Sequence, residues 1–226
     1  MKDFRVSFAS GSAIRKALLT LASVASILHG SPSRANPVIV NPYFATPDYT
    51  STSSGWAYLG VPSQTTVDGW TYTQYVGVSD LAAGVWFSAT PPVGQQAAFD
   101  QNGTISQTVS GFTPGNNYNF SLYMAQRLGH NPNPVTVSID SIDLGVFSPP
   151  SVSQFVQFTT SDFTATSSSM TLAFTVSPPS CNPYSVSCDW ASSITDVSVQ
   201  APEPNPMAIF GMAGLLLFAL RLRRRS

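Results

Sequence analysis

Tyr118-Asn119-Phe120-Ser121-Leu122-Tyr123-Met124-Ala125-Gln126-Arg127 decides the fold. Successive side chains of an extended chain point to opposite faces. Tyr118, Phe120, Leu122 and Met124 therefore share one side, while Asn119, Ser121, Tyr123 and Arg127 share the other. The first side is a core face, so the stretch is a strand buried on one side. Val135, Val137 and Ile139 repeat the pattern, as do Met170, Leu172, Phe174 and Val176, and Phe155 to Phe158 and Val197 to Val199 suggest further strands. Asn102-Gly103 predicts a hairpin turn and Pro114-Gly115 a type II turn, while Asn131-Pro132-Asn133-Pro134 interrupts regular pairing. From Asn36 to about Gln200 no helical period persists. Short strands at this spacing, apolar on one face, predict an all-β domain: an antiparallel β-sandwich of the jelly-roll kind. No repeat at fixed period suggests a propeller or solenoid.

The chain has 226 residues, of which 43% are hydrophobic, enough for one packed domain with processing segments at its ends. Its formal charge of -1 hides an asymmetry. Arg127 is the single Lys or Arg between the two terminal segments, against aspartates that include Asp48, Asp68, Asp80, Asp100, Asp162 and Asp189. An acidic core lacks the clustered cations that a phosphate backbone requires, which excludes a nucleic-acid partner.

Both ends read as targeting segments. Lys2, Arg5, Arg15 and Lys16 precede an apolar stretch from Ala17 to Leu28, and Ser33-Arg34-Ala35 places small residues where a signal peptidase needs them. Residues 1–35 are thus expected to be a secretory signal peptide read by the Sec machinery, residues 36–200 the β-sandwich, and residues 201–226 a sorting segment. In that last segment Pro202, Glu203 and Pro204 lead into an apolar helix at about 207–222, with Arg221, Arg223, Arg224 and Arg225 at its end. The run from Met207 to Leu220 makes a helix of roughly 21 Å, a short span that needs Leu222 and snorkelling arginines to cross a membrane. Arginines resist translocation, which leaves the core outside the cytoplasm. Export suits the two cysteines, Cys181 and Cys188, which are expected to form a disulfide within one Pro- and Ser-rich loop. Two thiols with no nearby histidine do not complete a zinc shell.

The tail, with Pro-Glu-Pro, a short hydrophobic helix and a basic end in that order, resembles the PEP-CTERM sorting signal of Gram-negative bacteria that make exopolysaccharide. That resemblance implies processing by a membrane-embedded exosortase, transient anchoring in the inner membrane with the core on the periplasmic side, and a final place in the cell envelope or extracellular matrix. Within the core, Asn41-Pro42-Tyr43-Phe44-Ala45-Thr46-Pro47, Gly69-Trp70, Ala98-Phe99 and Ile105 to Gly115 occur in order, followed by Tyr123 to Arg127, Val137 to Asp140 and Ile194 to Val199. These look like the galactose-binding-like jelly rolls found in PEP-CTERM proteins and in many carbohydrate-binding modules. Relatives often carry an acidic residue for structural calcium where this chain has Ala45, so no calcium or other cofactor is expected, although Asp196 matches the acidic position of the closing strand.

The supply of catalytic groups is poor. His130 is the single histidine of the core, no glutamate precedes Glu203, and no Gly-x-Ser-x-Gly elbow accompanies the serines. Asp140 and Asp143 lie too near one another to flank a glycosidic bond and are read as turn formers. Binding has better material, since Trp56, Tyr58, Trp70, Tyr72, Tyr75 and Trp86 crowd one region, with Gln74, Asp80 and Arg127 as polar partners. Trp70, Trp86, Tyr72 and Arg127 are the candidate ligand contacts, each weighed against burial in the core or, for Arg127, a structural ion pair. The expected protein is a non-enzymatic envelope or extracellular protein acting in adhesion or exopolysaccharide-matrix organisation through weak carbohydrate binding. A surface protein that binds no sugar is the alternative, and a glycoside-active hydrolase a third reading.

Overall fold

A computed structural model describes residues 36–49, 55–81, 87, 89–131, 133–150, 153–176 and 190–201. The signal segment, the Pro202-Glu203-Pro204 tail with its helix and arginines, Trp86, Cys181 and Cys188 lie outside the described residues.

Eleven strands are described: β1 (Trp56–Tyr58), β2 (Thr65–Val67), β3 (Trp70–Asp80), β4 (Gln96–Ser110), β5 (Asn117–Gln126), β6 (Val135–Ile139), β7 (Ile142–Phe147), β8 (Val156–Thr159), β9 (Phe163–Thr164), β10 (Ser169–Val176) and β11 (Ser192–Gln200). All pair antiparallel, in the order β7-β6-β10-β4-β11-β5-β8; β3 also pairs with β4, β1 and β2 pair with β3, and β9 pairs with β5. The expected strands are present, and Pro114-Gly115 forms a turn in which Asn116 N donates to Thr113 O at 3.1 Å with Gly115 at a φ of 87°.

The sheet folds over on itself through β4. Residues 103–110 of β4 pair with β10, whereas Ala98 to Asp100 pair with β11. One strand thus belongs to two layers, and β3 accompanies it along its other edge. A β-bulge marks the crossing: Tyr75 lies opposite Asn102 and Val76 opposite Asp100, so Gln101 is the extra residue. The two ends of the strand order then meet, with the rings of Phe147 on β7 and Phe158 on β8 at 5.5 Å and Ser161 N donating to Leu144 O at 3.1 Å. The result is an antiparallel β-sandwich whose core holds Phe120, Leu122 and Met124 from one layer against Leu172, Phe174 and Val137 from the other.

Asn102-Gly103 does not form the hairpin its residues predict, because both residues lie inside β4. Gly103 is there for close approach: a Cβ at this position would stand 2.1 Å from Thr73 O. Pairing to β3 on one edge and β10 on the other outweighs the local turn preference.

The segment before β1 is pinned along the sandwich by two glutamines of β4. Gln107 Oε1 accepts from Val40 N at 2.8 Å and its Nε2 donates to Val40 O at 2.9 Å. Gln96 Nε2 donates to Phe44 O and Pro47 O at 2.9 and 3.0 Å. These bonds satisfy backbone groups that no strand partner reaches, and they hold Phe44 in the core.

Candidate functional site

Alternation along β3 sorts the aromatics. Trp70 and Tyr72 share the inward face with Val76 and Val78, all four being buried in the main core. The Trp70 indole packs on Phe44 at 4.8 Å and on Phe174 at 5.8 Å, and its Nε1 donates to Asn41 O at 3.0 Å. Tyr72 is equally buried, its hydroxyl has no hydrogen-bond partner, and burial, with smaller contributions from Tyr49 and Asp68, pushes its phenol pKa up. Both rings were candidate ligand contacts, and the structure corrects that assignment: the faces a sugar would need are already covered by protein.

Tyr75 falls on the opposite, outward face, together with Gly77 and Ser79. Strand β1 pairs beside them, with Tyr58 opposite Gly77 and Trp56 opposite Ser79, so the β1 rings stand on the same face. Phe99 lies across Gly77 on β4 and is buried. Its ring meets Tyr58 at 5.5 Å and 70° and Trp56 at 6.4 Å and 76°. Tyr58 also meets Trp56 at 5.2 Å and 80°, and Tyr75 at 5.8 Å and 84°. These are edge-to-face contacts, which set the positive edge of one ring against the negative face of another. Glycine at 77 is what lets the rings converge, because a Cβ would stand 1.9 Å from Ala57 O and 2.9 Å from Phe99 Cζ.

Trp56 and Tyr58 are half-buried over this Phe99 base, and Tyr75 is half-buried against Tyr58. The Tyr58 hydroxyl donates to Gln101 Oε1, so the bulged residue brings an amide to the edge of the aromatic group. Ala191 packs with Phe99 in the same outer cluster, which Leu81, Phe87 and Ala97 complete. Beyond it Arg127 N donates to Ala191 O at 3.3 Å, and Arg127 is half-buried at the end of β5, continuing the face of Ala125 opposite Met124. The site is therefore a shelf of three partly exposed rings backed by the buried amide of Gln101, with half-buried Arg127 following β5 in the same layer.

Two of the carboxylates expected to lack chemistry are occupied structurally. Asp140 Oδ1 accepts from Thr171 N at 2.8 Å and so ties the β6–β7 turn to β10, and Asp143 Oδ1 accepts from Gly145 N at 2.8 Å across the register shift within β7. His130 lies in the loop after β5, its N donating to Arg127 O at 3.4 Å and its carbonyl accepting from Gln126 Nε2. Asp196 sits at a φ of 50° in the bulge of β11 between Thr195 and Ser198. Near it Val197 N donates to Pro42 O at 3.1 Å, while Ala45 N donates to Asn41 Oδ1 at 2.7 Å. Among the described residues no group of three or more His, Cys, Asp or Glu side chains gathers to hold a metal, and no helix is long and apolar enough to cross a membrane.

Sequence reasoning gathered Trp56, Tyr58 and Tyr75 with Trp70 and Tyr72 without separating them. The period of two kept by Trp70, Tyr72, Val76 and Val78 separates Tyr75 from them, whereas the place of Trp56 and Tyr58 depends on the pairing of β1 with β3. Gln101 carried no such signal, because its place depends on a bulge.

No family model and no curated protein matches the chain. Among solved structures it is similar to the C-terminal domain of EclA, a sugar-binding protein, at 21% identity over 51% of this chain and 76% of that one, with a TM-score of 0.37. It is also similar to the Stig cyclase Fisc from Fischerella sp. TAU, at 16% identity over 76% and 100% with a TM-score of 0.48. A CBM22 xylan-binding domain from Paenibacillus barcinonensis shows 12% identity over 62% and 90%, with a TM-score of 0.42. The three differ in what they do, and at such distances none assigns a ligand or a reaction to this chain.

Proposed function

We propose that the domain is a non-catalytic, weakly carbohydrate-binding β-sandwich, exported through the Sec machinery, sorted by an exosortase through Pro202-Glu203-Pro204, and active in adhesion or exopolysaccharide organisation at the envelope of a Gram-negative cell. The observation that carries the binding is the outward shelf of Trp56, Tyr58 and Tyr75 beside Gln101. Partly exposed rings offer an apolar surface to the C–H faces of sugar rings, and amides and a guanidinium bond their hydroxyls. Arg127 is the proposed charged partner on the same layer. The non-catalytic part is supported by Asp140 and Asp143, whose carboxylates are engaged with the backbone amides of Thr171 and Gly145. The sorting part rests on the order of the tail's three segments in the sequence, the Arg-rich end keeping the core on the periplasmic side.

Affinity retention of the purified protein on the exopolysaccharide of its host tests the binding. Tyr58→Ala and Tyr75→Ala are expected to weaken retention about tenfold, or ~1.4 kcal/mol, with the fold intact. Retention that ignores both substitutions removes the shelf from the mechanism, and self-association independent of glycan would favour a surface-coat role. Processing is read separately from the mass of the protein recovered from cells, which is expected to lack the residues after Glu203.

A further inference from the structure

Asp100 faces the interior of the sandwich, on the same side of β4 as Ala98 of the core, and lies opposite Val76 on β3 and Ser192 on β11. It is completely buried, and neither carboxylate oxygen has a hydrogen-bond partner. Asn133 is buried as deeply, and its Oδ1 is also unpartnered. The two belong to one polar knot. Ser192 Oγ, on the face it shares with Asp100, donates to Asn133 O at 2.6 Å and accepts from Asn133 N at 3.2 Å. Asn133 Nδ2 donates to the carbonyl of Gln101, the residue after Asp100, at 2.8 Å and to Trp190 O at 3.4 Å. Every unpartnered atom of Asp100 and Asn133 is therefore an acceptor, in a place that water does not reach.

Acceptors need a donor or a cation, and three occupants supply one. Calcium takes about six to eight oxygens, more than this knot offers, and no third acidic, histidine or cysteine side chain joins it among the described residues. A water molecule donates hydrogen bonds but leaves an ionised carboxylate uncompensated in a dry interior, which is strongly disfavoured. A proton removes the charge and creates the missing donor in one step. The titratable and charged groups on the elements packed around Asp100 are Tyr72, Tyr75 and Asp80 on β3, Tyr118 and Tyr123 on β5, Arg127 and His130 after it, and Asp196 on β11. None of them donates a hydrogen bond to the carboxylate.

We propose that Asp100 is carried in the folded protein as the neutral carboxylic acid and acts as a pH-sensitive latch that fastens Asn133 to the bulge of β4 and the start of β11. Burial raises the Asp100 carboxyl pKa well above its ordinary value, in agreement with the geometry. The unfolded chain ionises first as pH rises, so folding takes up one proton in the window between the unfolded and folded pKa values. Across that window the unfolding equilibrium constant rises about tenfold per pH unit. Stability is thus present in acid and lost toward alkali, the opposite of a salt-bridged aspartate. Once the folded carboxyl ionises, its charge lies against the Ser192 face and the bonds that hold Asn133 open.

Denaturant unfolding of the full-length protein across mildly acid to mildly alkaline pH, with Asp100→Asn beside it, tests the latch. The wild type is expected to lose about tenfold per pH unit relative to Asp100→Asn, and equal pH slopes overturn the proposal. Carbon-13 carboxyl resonances of the wild type give a reading that does not depend on the variant folding: Asp100 is expected to stay at the protonated position after the exposed aspartates have ionised, and ionisation together with them overturns the proposal. Stabilisation by calcium or magnesium that Asp100→Asn abolishes also overturns it, assigning the knot to a metal.

Discussion

Replacing Trp70 with alanine separates a core role from a ligand role, because the two predict opposite results. The indole is completely buried, packs on Phe44 and Phe174, and spends its N–H on Asn41 O. Trp70→Ala empties that volume and leaves a backbone acceptor without its donor. Large-to-small changes of buried aromatics cost about 3–5 kcal/mol, and for a domain of this size each kcal/mol lowers Tm by about 2–4 °C. A fall on the order of 10 °C is expected. Trp70→Phe keeps an aromatic ring against Phe44 and Phe174 but removes the bond to Asn41, so a smaller loss of about 1–3 kcal/mol is expected. Urea denaturation of both variants, followed through the midpoint at constant m-value, reads these losses directly. Polysaccharide retention, measured under conditions where each variant is folded, is expected to stay near the wild-type value. A Trp70→Ala protein with an unchanged midpoint and abolished retention would refute the burial argument.

Gly77→Ala forces a methyl group to within 1.9 Å of Ala57 O, so β1 must move away from β3; a loss of about 1–3 kcal/mol in urea unfolding is expected, with retention falling further than the stability loss accounts for, since β1 carries Trp56 and Tyr58. Unchanged stability and retention would show that β1 is not packed this closely. Gln107→Ala leaves Val40 N and O without their partner, which is expected to cost about 1–3 kcal/mol and to speed hydrogen exchange at residues 38–47 while exchange in β5 stays slow.

Several parts of the fold were legible because their physics is local. The period of two at Tyr118, Phe120, Leu122 and Met124 follows from the pleat alone, and the structure places all four in the core as β5. Pro114-Gly115 predicts its turn because proline presets one backbone angle and glycine accepts the positive φ that follows. Asp140 occupies the β6–β7 turn at a φ of 50°, as its residue type predicts, whereas its carboxylate reaches Thr171 on β10 and Asp143 bonds Gly145 N inside β7, neither of which is turn formation.

The sequence by itself determined the period of the strands and hence the faces they present, an acidic core with Arg127 as its one cation, and the shortage of proton-transfer groups. Tertiary structure decided the rest. Asn102-Gly103 became the crossing between two layers, because strand partners on both edges supply more hydrogen bonds than a local turn. Trp70 and Tyr72 were assigned to the core and Trp56, Tyr58 and Tyr75 to the outer shelf, a division set by which face of β3 meets Phe174 and which carries the rings of the neighbouring β1. Asp100 had no local mark of its burial, since its neighbour Gln101 is the extra residue of a bulge that resets the alternation of β4. Which side of a strand is inside depends on partners distant in sequence, and a bulge moves that side by one residue without changing the composition around it.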